Sequence, residues 1–276
     1  MKPVIYYRQS LMDGEELAAA GSRFETINSI LDVREDDLVI GRYSVLPFYE
    51  EQERDIITSG AKLINSYAQH RYIADIANWY ENLKDLTPKT YFNLTDIPDD
   101  AGPFIVKGET NSKKFYWRSK MFAHDKAMAI QKAVELSTDS LLQYQNIYVR
   151  DYIPLKTYYI SEMEDHLPIT EEYRIFVMYG KFITGGFYWQ NHIEDLKERG
   201  LIKEIPSINN VPWEFIETVI NRIKDKTNAV VIDVARTKED KWIVIELNDL
   251  QMSGLSCVDP MRLYSNMALT LEELND

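Results

Sequence analysis

The chain contains very few of the residues from which disulfide frameworks and zinc sites are built. Its 276 residues include one cysteine, Cys257, and four histidines. A single cysteine excludes a disulfide within the chain and a multi-cysteine zinc site. No two of the histidines stand at a spacing typical of metal ligands. These counts exclude the disulfide-rich class and the zinc-finger class of protein.

Long hydrophobic runs are also missing. No segment approaches the roughly 18 apolar residues of a membrane-spanning helix, and the apolar run at the start is too short for a signal peptide. Hydrophobic residues nevertheless make up 45% of the chain, which is enough for a substantial core. We therefore expect a soluble, cytoplasmic, globular protein that has no membrane partner.

Positive charge is in the minority. Lysine and arginine number 31 and aspartate and glutamate 44, so the net charge is −13. An acidic chain repels a phosphate backbone, which counts against a dedicated nucleic-acid binder. The exception is a short basic run of Lys113, Lys114, Arg118 and Lys120, and such a run is usually a solvated face.

The distribution of apolar residues predicts an α+β protein. Strand and helix patterns alternate before a proline-containing segment, Leu86 to Pro103, which predicts a small α/β lobe followed by a joint. An amphipathic helix is predicted over Asp125 to Leu142, with Ala127, Ile130, Val134 and Leu141 near its apolar face. Antiparallel strands are predicted towards the end of the chain, over residues 173–179, 181–188, 229–235 and 242–247.

Two acidic residues interrupt the last two of these apolar strands. If the turn is centred between Glu239 and Asp240, Asp233 lies opposite Glu246, and Asn248 follows on the same face. Like charges opposed on a sheet are destabilising unless a cation lies between them. Oxygen ligands of this kind suit Mg²⁺ or Mn²⁺. The alternative is a pair of ordinary residues on a hydrated sheet face, and a one-residue slip would turn Glu246 away.

Lysine and arginine side chains on apolar strands are candidates for binding phosphate. Lys107 ends a strand and precedes a polar loop, so it can present a fixed positive charge to phosphates, although a solvated lysine is the usual alternative. Arg174 interrupts an apolar strand and suits a phosphate or carboxylate, or else a buried ion pair with Glu171 or Glu172. Neither a GxxxxGK[ST] nor a GxGxxG motif is present. Two weaker candidates are expected at the surface when each is taken alone: Arg150 and Arg236.

In chain order, these features resemble the ATP-grasp superfamily. The segments that carry the resemblance are GPFIVKG, VRDYIPL, EYRIF, VVIDVA and VIELND, within roughly residues 85 to 255. The EYR and ELN segments are most similar to a small clade named for two arginines and a lysine, found in phages and bacteria. The resemblance implies two α+β lobes that grip ATP, residues 86–155 and 156–276, preceded by a small α/β N-terminal lobe, residues 1–85.

The resemblance also implies roles for single residues. Lys107 would bind the α- and β-phosphates, and Lys113 and Lys114, in the loop that follows, are further candidates for binding the nucleotide. Adenine would contact the linker strand, residues Asp151, Tyr152 and Ile153. The magnesium ligands would be Asp233, Glu246 and Asn248. The residues that stabilise the transferring phosphoryl group would be Arg174 and, as a second arginine, Arg236.

The function that the resemblance implies is an ATP- and Mg²⁺-dependent ligase. It would join a small-molecule or peptide carboxylate to an amine through an acyl-phosphate and release ADP and phosphate. Two alternatives remain open. One is an ATP-dependent nucleic-acid end-processing enzyme, an RNA ligase or kinase, on the same fold. The other is a nucleotide-binding module without catalytic activity.

Overall fold

The structure is a computed structural model that describes residues 1–43, 48–110, 112–161 and 165–274. Asn111, in the loop that follows Lys107, lies outside the described residues. The strands are β1 Lys2–Tyr7, β2 Glu25–Ile27, β3 Asp37–Arg42, β4 Lys62–Leu63, β5 Thr90–Tyr91, β6 Phe104–Gly108, β7 Phe122–Ala123, β8 Ile147–Asp151, β9 Thr157–Tyr159, β10 Ile169–Thr170, β11 Glu172–Met178, β12 Lys181–Phe187, β13 Ala229–Arg236 and β14 Trp242–Asn248. The helices are α1 Gly14–Gly21, α2 Tyr49–Thr58, α3 Tyr67–Ala74, α4 Ile76–Leu83, α5 Lys126–Ser137, α6 Ile193–Glu198, α7 Trp213–Ile223 and α8 Pro260–Glu273. Over the described ranges, no helix has both the length and the apolar composition needed to cross a bilayer.

The first sheet is parallel and has the strand order β2-β1-β3-β4. Its central strands carry consecutive buried residues, Val4 and Ile5 on β1 and Val39 and Ile40 on β3. Consecutive burial is typical of a parallel sheet that is covered on both faces. This region has the α/β arrangement predicted for the start of the chain.

The N-terminal region also contacts the residues that directly follow β14. The Asp249 carboxylate lies 3.3 Å from His70 Nδ1 and accepts a hydrogen bond from Asn65 Nδ2 at 3.3 Å. The buried guanidinium of Arg42 donates to the carbonyl oxygen of Leu250. The end of β14 is therefore held from the N-terminal sheet and its helices.

The second sheet is antiparallel, with the order β5-β8-β6-β7, and α5 packs on it. The prediction for this helix was wrong in its length and in its buried side. It ends at Ser137, and Val134 is 58% exposed. Ala129, Ala133 and Leu136 face the sheet instead, because the small alanines let the helix lie close to β6 and β8.

The third sheet is antiparallel, with the order β12-β11-β13-β14. On one of its faces, Phe176 and Met178 pack with α8 in an apolar cluster. Glu172 and Arg174 lie on the same face of β11, because side chains two residues apart point the same way. This face therefore changes from apolar to charged along the strands, and its charged end faces the second sheet.

Candidate active site

Asp233 lies directly opposite Glu246, as predicted, but the strands reach this pairing through a β-bulge. Nearer the turn Val234 pairs with Val244, which is one residue out of the predicted register. The assumed centre of the turn is therefore wrong. Ile245 has no partner on β13, and this extra residue brings Glu246 back opposite Asp233. If the strands instead paired regularly through this point with Ile245 in place, Ile245 would lie opposite Asp233 and Glu246 would lie on the other face of the sheet.

Arg174 forms a forked ion pair with Asp233, its cross-strand neighbour. Its Nε donates to Asp233 Oδ1 at 2.8 Å and its Nη2 to Oδ2 at 2.7 Å. Asn248 Nδ2 also donates to Asp233 Oδ2, at 3.0 Å, and Arg174 Nη1 donates to the Gly254 carbonyl oxygen at 3.0 Å. The alternative of an ion pair with a neighbouring glutamate was therefore wrong: the partner is the aspartate predicted to bind metal.

Glu246 is held by two lysines, one on each of its carboxylate oxygens. Lys107 Nζ donates to Oε2 at 3.1 Å, and Lys114 Nζ donates to Oε1 at 3.1 Å. Burial alone would raise the pKa of Glu246, but the ammonium groups of Lys114 and Lys107 hold it well below its usual range. Lys107 is 7% exposed, so it is not the solvated lysine of the alternative interpretation. Lys107, Lys114 and Glu246 thus form one charged cluster, in which Lys107 is buried and the other two are partly buried.

Glu172 is a further carboxyl group of this cluster, considered in the sequence only as a partner for Arg174. It is 4% exposed and accepts a hydrogen bond from Thr170 Oγ1 at 3.2 Å. Burial, and then repulsion from Asp233, raise the pKa of Glu172 from its ordinary 4.5 to about 8. In the sequence Glu172 stands two residues before Arg174, and nothing there distinguishes it from a glutamate at the surface.

Glu172→Gln should therefore stabilise the protein at high pH. The unfolded chain ionises this carboxyl group near pH 4.5 and the folded chain only near pH 8, so folding becomes less favourable as pH rises between these values. The wild-type free energy of unfolding should fall relative to the variant by up to about 1.4 kcal/mol per pH unit across this window. Urea unfolding at pH 5, 7 and 9 measures the difference. Equal stability of the two proteins at pH 9 would contradict the raised pKa.

A cleft between the second and third sheets joins this cluster to an apolar region. Lys107, Lys114, Glu172 and Glu246 line one part of it. Apolar side chains line the rest, among them Ile105, Trp117, Met121, Ile243, Ile245 and Leu167. The predicted linker residues Asp151, Tyr152 and Ile153 also line this cleft. A second cavity adjoins it, and its lining includes Lys114, Arg174, Tyr188, Glu246 and Asn248.

Arg150 lines the cleft too, and its prediction as a surface residue was wrong. It is 5% exposed, and burial lowers its pKa to about 10. In the sequence it stands alone between a valine and an aspartate, and nothing there marks it as buried. Only the pairing of β8 with β6, opposite the third sheet, places it in the cleft.

Two predicted site residues lie apart from the cluster. Lys113 forms an ion pair with Asp139 at 2.7 Å. Arg236 is three residues from Asp233 on a regular strand, so it points to the opposite face, where Glu171 is 3.6 Å away. Contact between either side chain and a nucleotide in the cleft would require it to leave its present position.

Asp233, Glu246 and Asn248 carry oxygen atoms of the kind that bind Mg²⁺ jointly with a phosphate, but in this structure Arg174 contacts both oxygens of Asp233 and two lysines contact those of Glu246. Among the described residues, no three His, Cys, Asp or Glu side chains form a group that could hold a metal ion. Mg²⁺ does not need such a group, because it usually takes one or two protein carboxylates, substrate phosphates and water. Two carboxylates and an amide on one sheet face meet that requirement.

Several solved structures share this fold. The RimK domain ATP-grasp protein from Sphaerobacter thermophilus DSM 20745 is 13% identical, with a TM-score of 0.55 over 95% of this chain and 98% of that chain. D-cycloserine synthetase DcsG is 11% identical, with a TM-score of 0.59 over 98% and 99%. ATP-grasp ligase PsnB, complexed with precursor peptide PsnA2 and AMPPNP, is 11% identical, with a TM-score of 0.57 over 100% and 97%. At these identities the similarity shows the fold alone.

The sequence itself carries the assignment to a family. No curated protein matches it. A family model does, namely that of the ATP-grasp domain, R2K clade family 3, and its match runs over residues 95–267. Because this match spans more than half of the chain, the protein belongs to the ATP-grasp superfamily and to this clade.

Proposed function

We propose that the protein is an ATP- and Mg²⁺-dependent ligase that joins a carboxylate to an amine through an acyl-phosphate. The observation that carries the proposal is the pairing of Glu246 with two lysines at the charged end of a partly apolar cleft. When ATP binds, its phosphates would replace Glu246 as the partners of the two lysines, and the carboxylate would then be free to bind a metal ion.

The apolar part of the cleft would hold adenine. The linker residues Asp151, Tyr152 and Ile153 line this part and would contact the edge of the base, and Met121 and Ile245 supply apolar surface for its faces. A carboxyl group among the residues that line the same cleft would accept hydrogen bonds from the ribose hydroxyls.

The charged part would hold the triphosphate and its metal ion. Lys107 and Lys114 would bind phosphate oxygens through charge-assisted hydrogen bonds. Asp233, Glu246 and Asn248 would hold Mg²⁺, for which Mn²⁺ is a substitute. The metal ion would offset the charge of the phosphates as the γ-phosphoryl group moves.

The second cavity would hold the acceptor carboxylate. There the oxygen of the acceptor forms a bond to the γ-phosphorus, the bond to ADP breaks, and an amine then displaces phosphate from the acyl-phosphate. Arg174, which lines this cavity, would stabilise the charge on the phosphoryl group. The chain needs no nucleophile of its own for this route, and burial raises the pKa of its one thiol, Cys257, to about 11.

The acceptors would be small molecules or peptides. Structures with this fold include a D-cycloserine synthetase and a ligase complexed with a precursor peptide, so the fold accommodates both sizes of substrate. The proposed setting is the cytoplasm of a bacterium or of a phage-infected cell, where ATP is available.

The test is the identity of the nucleotide product. We expect ADP when the protein is mixed with Mg²⁺-ATP and a small-molecule cell filtrate. Lys107→Met should weaken ATP binding by about 10- to 100-fold, because a charge-assisted hydrogen bond is worth about 1.5–3 kcal/mol. Lys113→Met is the matched control, since that lysine is held by Asp139, and it should bind ATP as the wild type does.

Two results would count against the ligase. AMP as the product would indicate adenylylation and favour the nucleic-acid alternative, and equal ATP binding by both lysine variants would remove the proposed phosphate site. The net charge of −13 already weighs against nucleic acid. Two cations of the basic run, Lys113 and Lys114, are also engaged in ion pairs.

A further inference from the structure

The free edge of β14 is covered at the point where its register changes. β14 is an edge strand of the third sheet, so the outward backbone groups of its residues have no strand partner among the residues that the structure describes. Val244 N–H donates to the Leu86 carbonyl oxygen at 2.7 Å, and Thr87 Oγ1 donates to the Val244 carbonyl oxygen at 2.8 Å. Arg150 Nη1 donates to the carbonyl oxygen of Ile245, the bulge residue, at 2.8 Å. The bulge is therefore held from outside its own sheet.

The contacts of Arg150 are unusual for a buried arginine. Its Nη2 donates to Thr87 Oγ1 at 2.6 Å and its Nε to Thr90 Oγ1 at 3.2 Å. All three acceptors, including the Ile245 carbonyl oxygen, are neutral, and no ion pair of Arg150 occurs within the described ranges. A buried guanidinium usually has a carboxylate partner, because burying an uncompensated charge is costly. The position of this one is therefore set by the backbone of β14 and by two threonine hydroxyl groups.

The bulge decides where Glu246 points. Regular pairing from the turn onward would place Ile245 opposite Asp233 and turn Glu246 to the apolar face that carries Val244 and Leu247. With the bulge, Ile245 and Glu246 both line the cleft. Whatever stabilises the bulge therefore stabilises the opposed pair of carboxylates.

We propose that Arg150 is a positioning residue that fixes the β14 bulge through the Ile245 carbonyl oxygen and thereby holds Glu246 opposite Asp233. Arg150 belongs to the second sheet and Glu246 to the third, so this contact ties the geometry of the metal ligands to the lobe that carries Lys107. The proposal rests on the proposed function, because it assigns Arg150 a part in metal binding.

The first test measures Mn²⁺ binding in the presence of a saturating non-hydrolysable ATP analogue, by electron paramagnetic resonance of free Mn²⁺. Arg150→Met should weaken Mn²⁺ binding by about 10- to 100-fold. Arg150→Lys keeps the charge, but an ammonium group cannot make the same three hydrogen bonds as the planar guanidinium. It should therefore weaken Mn²⁺ binding by a similar factor. Thr87→Val keeps the guanidinium and removes one hydrogen bond that supports the bulge, so it should weaken Mn²⁺ binding by a smaller factor. This variant replaces the arginine variants if they do not fold. Arg34→Met, at an exposed ion pair, is the control and should bind Mn²⁺ normally.

The second test removes the bulge itself. In a chain that lacks Ile245, regular pairing from Val244 puts Glu246 directly opposite Asp233. In that background Arg150→Met should change Mn²⁺ binding less than threefold, because there is no bulge left to hold. Amide hydrogen exchange supplies a readout independent of ligands: Arg150→Met should speed exchange in β14 and leave β11 unchanged.

The outcomes separate this proposal from the proposed function. If the wild type binds no Mn²⁺ with the analogue, the ligase proposal fails, and hydrogen exchange still decides the role of Arg150. If Arg150→Lys binds Mn²⁺ like the wild type, charge alone matters and the positioning role is wrong. An equal loss from Arg150→Met with and without Ile245, or unchanged exchange in β14, would likewise overturn it.

Discussion

Arg174→Met should lower the free energy of unfolding by about 3–5 kcal/mol, the usual cost of leaving one partner of a buried ion pair without the other. Asp233 is fully buried, and both of its carboxylate oxygens accept hydrogen bonds from Arg174. The amide of Asn248 also donates to Asp233, but it carries no charge. Without the guanidinium, the Asp233 carboxylate must either stay ionised in the low-dielectric interior of the protein or take up a proton.

Denaturant unfolding measures this loss of stability, and a second substitution tests whether the unpaired charge of Asp233 causes it. Arg174→Met with Asp233→Asn removes both charges and should recover most of the stability, as a double-mutant cycle would detect. Arg222→Met is the matched control, because Arg222 forms a forked pair with Asp85 at the surface. Its loss should stay within about 1 kcal/mol. Equal losses at the two sites would show that the burial of Asp233 is unimportant.

Glu246→Gln should reduce ATP-dependent turnover by about a thousandfold, because stabilisation by a correctly placed metal ion is worth several kcal/mol and each 1.4 kcal/mol is a factor of ten. The amide keeps the shape of the side chain but removes the charge that holds Lys107 and Lys114. The variant should also require a higher Mg²⁺ concentration, since a carboxylate ligand of the metal is lost.

The control for this loss is Glu171→Gln. Glu171 is also buried and also contacts two cations, Lys156 at 3.0 Å and Arg236 at 3.6 Å, but it does not line the cleft. Release of ADP by both variants and the wild type gives the comparison. Turnover in Glu246→Gln that matches Glu171→Gln would remove Glu246 from the metal site.

The sequence predicted the fold and much of the cluster because these features follow from local patterns. Alternation along β13 and β14 identified the strands, and the acids within them identified the face that carries Asp233 and Glu246. The pairing of Asp233 with Glu246 was predicted correctly, but from a wrong centre of the turn. No residue type near Ile245 marks a bulge, and contacts with another sheet stabilise it.

The errors share a cause, which is that burial depends on packing between distant segments. Arg150 and Glu172 are charged residues of β8 and β11, and only the approach of the second and third sheets encloses them. The buried side of α5 was misplaced for the same reason, since apolar residues occur all around this helix. Lys113 and Lys114 are neighbours in the sequence, yet only Lys114 contacts Glu246, because adjacent side chains diverge.

The bonds from His70, Asn65 and Arg42 to the residues after β14 bear on how such a chain can evolve by recombination. The region matched by the family model begins at residue 95, so an exchange of gene segments at that boundary would keep most of the nucleotide cleft together but would separate it from Pro88 and from the segment that contacts β14. It would also replace the side chains that hold Asp249 and Leu250, next to the magnesium ligand proposed at Asn248. The N-terminal sheet with its helices and the final strand of the cleft should therefore be inherited together, although more than half of the chain separates them.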